Sequence, residues 1–181
     1  MGVYTYITLL FSQNCTIMKR IIVLSTLLLF FAFAFSQEEE NGTIYIKHPN
    51  IETVNKTVQA YMNKDWAAEK SFYSDTAKWW VSGLDKPIPI ADAFKDWATD
   101  FDYFDDVKQV KSPGSYPDYL HYKDKDEKTV MSWWVWSGKS KKTGEVIKVP
   151  LVVFDDFDNN GKIVRESMWG DFSKLVAAKT K

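Results

Sequence analysis

The hydrophobic period of this chain changes once, near Asp105, and that change limits the folds open to it. Before that point apolar residues recur at helical spacing, and after it they alternate with a period of two. Ile51, Val54, Val58, Tyr61 and Met62 predict an amphipathic helix over 50–63, with Pro49 able to occupy its first turn. Asp65 can cap a second, short helix from Trp66 to Tyr73. Ala77 to Ser82 reads as a strand, and Ile90, Phe94, Trp97, Ala98 and Phe101 form a third helical stripe. Five strand candidates follow: Val107 to Lys111, Tyr119 to Lys123, Thr129 to Gly138, Glu145 to Asp156 and Lys162 to Trp169. Turn-rich pieces such as Ser112-Pro113-Gly114 and Asp158 to Gly161 separate them, and Phe172 to Ala178 predicts a closing helix. Helices first and antiparallel strands afterwards describe an α+β domain with its helices on one face of the sheet.

The first 36 residues stand apart from this pattern. Met18-Lys19-Arg20 precedes Ile21 to Phe35, an apolar run in which only Ser25 and Thr26 are polar, and Ser36 then gives way to Gln37-Glu38-Glu39-Glu40. A basic start, a short apolar core and small residues before a polar segment describe a cleavable secretory signal peptide. The run is shorter than the ~20 residues that span a bilayer. Cleavage is expected near Ser36 and Gln37, with Met18 the better start, and export to a bacterial periplasm or the medium follows. The leader carries Lys19, Arg20 and the sole cysteine, Cys15, but no acid, which leaves 21 basic against 24 acidic residues, a net of −3. Such a chain offers no broad basic field for nucleic acid and no thiol or disulfide after cleavage. Residues 37–48 read as a flexible lead-in and 49–181 as the folded domain, with no membrane contact expected once the leader is gone.

All eight tryptophans lie in that domain. In Met131-Ser132-Trp133-Trp134-Val135-Trp136, alternation sets Trp134 and Trp136 on one face and Met131, Trp133 and Val135 on the other. Both faces therefore need cover: one from the helices or a cavity, the other from a partner sheet, which predicts a homodimer. The rings either fill a core or wall a pocket, and indole N–H groups, which need acceptors, favour a pocket.

Among the acids, Asp155 continues the side of Ile147, Val149, Leu151 and Val153, and Asp156 that of Val152 and Phe154. One of the two therefore extends an apolar face, where its pKa would rise, unless both run past the buried part of the strand into solvent. Glu166 and Asp171 follow on the next strand, and His121 sits among Tyr119, Leu120 and Tyr122 as a possible partner for an acid. Asp156-Phe157-Asp158-Asn159-Asn160-Gly161-Lys162-Ile163 imitates a calcium loop, but the twelfth position is Ser167 and Glu166 comes one residue early. A tight turn explains Asn-Asn-Gly better. With two histidines and no cysteine after the leader, no metal site is expected, and no cofactor-binding motif is present.

The order of elements resembles the nuclear transport factor 2-like superfamily and its SnoaL-like branch. The resemblance rests on the Val58-Gln59-Ala60-Tyr61-Met62-Asn63-Lys64-Asp65-Trp66 helix junction and the Phe72-Tyr73-Ser74-Asp75 exit. The Asn160-Gly161-Lys162-Ile163 hairpin and the closing Trp169-Gly170-Asp171 also fit, so that about residues 49–178 are covered. It implies a cone, or cystatin-like roll: a curved antiparallel sheet wrapped around N-terminal helices, with an apolar pocket at the open end. Isomerases that resemble this pattern carry their base on the strand after the exit, which here reads Ala77-Lys78-Trp79-Trp80-Val81-Ser82 and has no acid. The expected function is binding of a small apolar or aromatic molecule between Tyr61, Trp79, Trp97, Trp134, Trp136 and Trp169. The alternatives are a cofactor-free hydrolase, dehydratase or isomerase using Asp155, Glu166 or Asp171 with His121, and a dimeric interaction module whose pocket its own rings plug.

Overall fold

The computed structural model describes residues 40–113 and 117–180, so the leader and Cys15 lie outside the described residues. The elements run β1 (Gly42–Tyr45), α1 (Pro49–Met62), α2 (Trp66–Ser71), β2 (Tyr73–Val81), β3 (Ile88–Pro89), α3 (Ile90–Tyr103), β4 (Phe104–Lys111), β5 (Asp118–Tyr122), β6 (Lys128–Ser140), β7 (Val146–Phe157), β8 (Ile163–Gly170) and α4 (Ser173–Thr180). They build the α+β cone expected from the order of elements, with one mixed sheet in the order β1-β5-β6-β7-β8-β2-β3 and β4 paired to β6 beyond β5.

The two longest strands, β6 and β7, form the spine of the sheet, pairing without a break from Thr129↔Asp156 to Lys139↔Val146. Curvature enters where the register slips: within β4 between Asp105 and Lys108, within β2 between Tyr73 and Lys78, and in β7 at Asp156–Phe157. Such bulges bend a strand and sharpen its twist. In β4 the bulge is carried by Asp106 at φ 52°, a left-handed conformation that aspartate tolerates better than most residues. The helices fill the concave side. Ile51, Val54 and Tyr61 of α1 and Ala93 and Trp97 of α3 join Trp134, Trp136, Val149, Leu151 and Val153 of the spine in one buried cluster.

Three features differ from the sequence reading. The second helix stops at Ser71, and β2 begins at Tyr73 rather than near Ala77, because Tyr73 turns its ring inward against Phe94. The sheet is not wholly antiparallel: β2 runs parallel to β8, Trp79 facing Glu166 and Val81 facing Met168. The chain leaves β2 into the short antiparallel strand β3, Trp79 facing Ile88, and the other edge of β2 lies beside the last strand. The lead-in also contains a strand. Gly42–Tyr45 pairs with β5 from Gly42↔Tyr122 to Tyr45↔Tyr119, and at Gly42 (φ 159°) a Cβ would stand 2.4 Å from the His121 carbonyl oxygen.

Candidate functional site

A cavity of about 280 Å³ opens between the concave face of the sheet and the helices. Val54, Val58 and Tyr61 of α1 line one side, Trp97 of α3 another, and Trp79, Trp134, Trp136, Leu151 and Val153 form the sheet side. Phe172 and Leu175 bring the closing helix to it. Aromatic edges meet faces around the wall: Trp79 stands at 87° to Trp97 with centroids 5.8 Å apart, and Phe94 at 78° to Trp97 at 5.3 Å. Such pairs contribute ~0.5–1.5 kcal/mol each beyond their burial and hold the rings in place, so the space between them is kept open.

Five of the six residues expected to wall the pocket, Tyr61, Trp79, Trp97, Trp134 and Trp136, line it. Trp169 does not. It is 53 % exposed and leans on Trp80, centroids 4.7 Å apart, because its position on β8 faces outward. Trp134 Nε1 donates to Ser132 Oγ at 2.8 Å and Trp136 Nε1 to the Tyr61 hydroxyl at 2.8 Å. Trp79 Nε1 meets no acceptor.

The polar groups of the cavity gather in two corners. In the first, Asp155 of β7 and Glu166 of β8 sit directly opposite each other in the ladder. Both point inward, at 2 % and 3 % exposure. Asp155 Oδ1 and Glu166 Oε1 meet no donor, and since two carboxylates have none to offer each other, one of the pair must carry a proton for the other to accept it. The Tyr73 hydroxyl donates to Glu166 Oε2. Burial raises both acids; the Glu166 charge raises Asp155 further, while the Tyr73 and Asp155 hydrogen bonds restrain Glu166 to about 7. Both members are thus held above the ordinary carboxylate range by their burial. Glu69 of α2, 2 % exposed, completes the corner. Burial first, and the Glu166 charge second, push it up to about 9, and its Oε2 has no partner.

In the second corner Tyr61 donates to Asp100 Oδ2 at 2.6 Å, and Lys179 of α4 reaches Asp100 Oδ1 at 2.7 Å. Burial raises Asp100, while Lys179 and Tyr61 draw it back. The two corners differ in kind: the first is a group of acids without a cation, the second an acid with one.

Asp155 therefore takes the inward branch of the alternation and is not solvated, whereas Asp156 pairs with Arg165 at 2.5 Å on the outer side. His121 and Asp171 lie outside the site. His121 lies outside the cavity, Nε2 2.7 Å from Asp126 Oδ1, on β5 next to the edge strand β1. Asp171 follows β8 and accepts the Ser173 backbone N–H at 3.0 Å. Asp158 of the calcium-like loop accepts the backbone N–H groups of Asn160 and Lys162 at 2.8 and 2.9 Å, closing a turn. Among the described residues no group of His, Cys, Asp and Glu could hold a metal ion. Glu69, Tyr73 and Asp100 were not anticipated as site residues. The signal for Glu69 was its place three residues after Trp66, which turns it to the aromatic side of a short helix.

No protein-family model and no curated relative matches the chain. Solved structures do match its fold. IdmH from Streptomyces antibioticus, a candidate polyketide cyclase, aligns over 74 % of this chain and all of its own at 15 % identity and a TM-score of 0.57. A candidate SnoaL-like polyketide cyclase from Shewanella denitrificans covers 74 % of this chain and 98 % of its own, at 10 % identity and 0.52. A protein with a ketosteroid isomerase-like fold from Catenulispora acidiphila, in complex with trimethylamine, covers 70 % and 91 % at 14 % identity and 0.52. The chain has the SnoaL-like cone fold. Within it, the acids occupy β7, β8 and α2, and β2 contributes Tyr73 and Trp79 to the cavity.

Proposed function

We propose that this protein binds a small, largely apolar carbonyl compound in the cavity and moves a proton on it by acid–base catalysis. The observation that carries this is the first corner: three carboxyl groups buried together in an aromatic wall, with Tyr73 as donor. Environments that push neighbouring acids apart assign acid and base roles. Near neutral pH Glu166, held at about 7, is poised as a base, while Glu69, pushed up to about 9, keeps its proton. The Glu166 carboxylate takes a proton from the carbon beside the carbonyl, and the electron pair moves into the C–O bond. The Glu69 O–H donates to the developing oxyanion, and Asp155 and Tyr73 hold Glu166 in place. Returning the proton to the same carbon restores the compound, and returning it to another isomerises it. Similarity of fold to candidate polyketide cyclases agrees with a small organic ligand.

The test is hydrogen exchange, which needs no knowledge of the natural product. With 1-tetralone in D₂O, the protein is expected to speed deuterium incorporation beside the carbonyl, read by mass spectrometry. Glu166→Gln is expected to reduce that rate about 10²–10⁴-fold. The rate should rise through about pH 7 as Glu166 ionises and fall through about pH 9 as Glu69 loses its proton. Tetralone that binds but exchanges no faster than in solvent would leave a binding protein and no catalyst.

Two further parts of this reading concern the whole chain. Export rests on Met18 to Ser36, and the intact mass of protein recovered outside the cytoplasm tests it. Self-association rests on the apolar outer face of the sheet, where exposed Trp169 lies against half-buried Trp80.

A further inference from the structure

The second corner of the cavity differs from the first in what it can accept. Tyr61 lies on the cavity wall at the end of α1, and both of its ordinary hydrogen-bonding directions are occupied. Its proton goes to Asp100 Oδ2 at 2.6 Å, and one lone pair receives Trp136 Nε1–H at 2.8 Å. A phenol oxygen in that state has no proton to give and one lone pair left, to which a further donor can come.

Neither neighbour is free to turn away. Trp136 is buried and stands edge-to-face on Phe104, centroids 5.2 Å apart at 84°. Asp100 is paired with Lys179 at 2.7 Å, which draws its pKa down against the burial that raises it, and Lys179 is itself placed by Asp96 Oδ1 at 3.2 Å. A carboxylate takes the tyrosine proton in preference to a neutral acceptor, because hydrogen bonds to a charged group are roughly twice as strong. Burial keeps the phenol neutral, its pKa raised well above 10, so Tyr61 is an acceptor that does not ionise. A ligand carbonyl placed there would face an oxygen without a hydrogen; a ligand hydroxyl would complete the set.

We propose that the Tyr61–Asp100–Lys179 corner is a recognition site for a hydroxyl group, so that the substrate is an apolar carbonyl compound that also carries a hydroxyl away from the reacting carbon. This rests on the reading of the first corner as the seat of the carbonyl. The two corners of the cavity then have opposite polarity: the first donates to a carbonyl from Glu69, and the second accepts from a hydroxyl at Tyr61. A ligand carrying both groups has one favoured orientation, with the carbon beside its carbonyl at Glu166. Tyr61 is a specificity-determining residue in this scheme and takes no part in the proton transfer.

The experiment uses the full chain and three probes of one skeleton: 1-tetralone, 6-hydroxy-1-tetralone and 6-methoxy-1-tetralone. Quenching of tryptophan fluorescence reads each Kd. The hydroxy compound is expected to bind about tenfold tighter than the parent, within what one hydrogen bond supplies, and the methoxy compound no tighter than the parent. Tyr61→Phe is expected to bind the hydroxy compound and the parent with equal affinity. Lys179→Met keeps the apolar stem of this largely buried side chain on the closing helix and removes its charge. It lets Asp100 take a proton, frees the Tyr61 hydroxyl to point at the ligand, and should narrow the gap between hydroxy and methoxy compounds. Equal binding of hydroxy compound and parent, a preference that survives Tyr61→Phe, or no binding of any of the three overturns the proposal. Deuterium exchange of 1-tetralone and its loss in Glu166→Gln report separately on the first corner. Exchange without a hydroxyl preference sinks this inference alone, and a preference without exchange sinks the proton transfer alone.

Discussion

Glu69 sits in the cavity wall with one oxygen unpartnered and no cation beside it. A group in that position binds its proton more tightly folded than unfolded, and the sign of its linkage to stability follows. Its folded pKa of about 9 lies above the ordinary 4.5. Its contribution is therefore complete below about pH 4.5 and is lost as the pH rises towards 9. Glu69→Gln replaces the protonated acid with a neutral group of the same shape. In thermal melts between pH 5 and 9 the wild type should lose several degrees of Tm relative to the variant as the pH increases. Parallel curves would mean that Glu69 is not buried as an acid. At this scale the sequence was partly legible. Alternation along β7 left Asp155 two faces, and the register opposite Glu166 decides for the inner one. The same alternation could not assign Trp169, because strand periodicity says which residues share a face and not which face the helices cover. Glu69 had only its spacing from Trp66 to mark it, since a helix of six residues gives little periodicity to confirm a face.

β1 is the element that periodicity missed, and its docking depends on few residues. Four residues at a sheet edge have weak intrinsic stability, and Ile44 is largely exposed. An aromatic stack anchors the strand instead: Tyr45 lies 5.7 Å from Tyr119, and His48 stacks on Tyr119 at 3.6 Å and 4°. His48 also caps α1, its Nδ1 accepting the Asn50 N–H at 3.1 Å. That acceptor must be neutral, and burial together with nearby His121 holds the His48 pKa below 6.5. The cap is present above that pH and is lost as the pH falls through the lowered value. His48→Ala should cost about 1–3 kcal/mol, from a lost cap and a lost ring contact, read as a lower urea midpoint. The difference from wild type should shrink in acid; a constant difference from pH 7 to 5 would assign the loss to the stack alone. The longer elements were read closely from sequence because each carries a full apolar stripe or an alternating run. β1 and the parallel β2–β8 pairing were not, because one depends on ring contacts across the fold and the other on where the chain returns.

At the scale of the whole molecule, the convex face of the sheet still needs a cover. Its exposed side is built in rows across neighbouring strands: Val110 beside Val135 and Pro150, then Trp133 beside Val152 and Trp169, then Met131 beside Phe154. Trp80 adds its ring against Trp169. Antiparallel sheets that face water carry polar residues on that side, and contiguous apolar patches of this kind mark contact surfaces. A two-fold axis through the face would lay each row against its copy, which is the geometry of an isologous dimer. Such a contact needs about 800 Å² from each partner, an area that four neighbouring strands can present. Trp169 is the residue to change, since it is half exposed and does not line the cavity. The wild type should run as a dimer at micromolar concentration by size exclusion with light scattering. Trp169→Glu would bury a carboxylate against its own copy across the axis and should give a monomer that still binds the tetralone probe. A wild type that stays monomeric would leave the patch to a different partner. A Trp169→Glu dimer would move the axis away from β8.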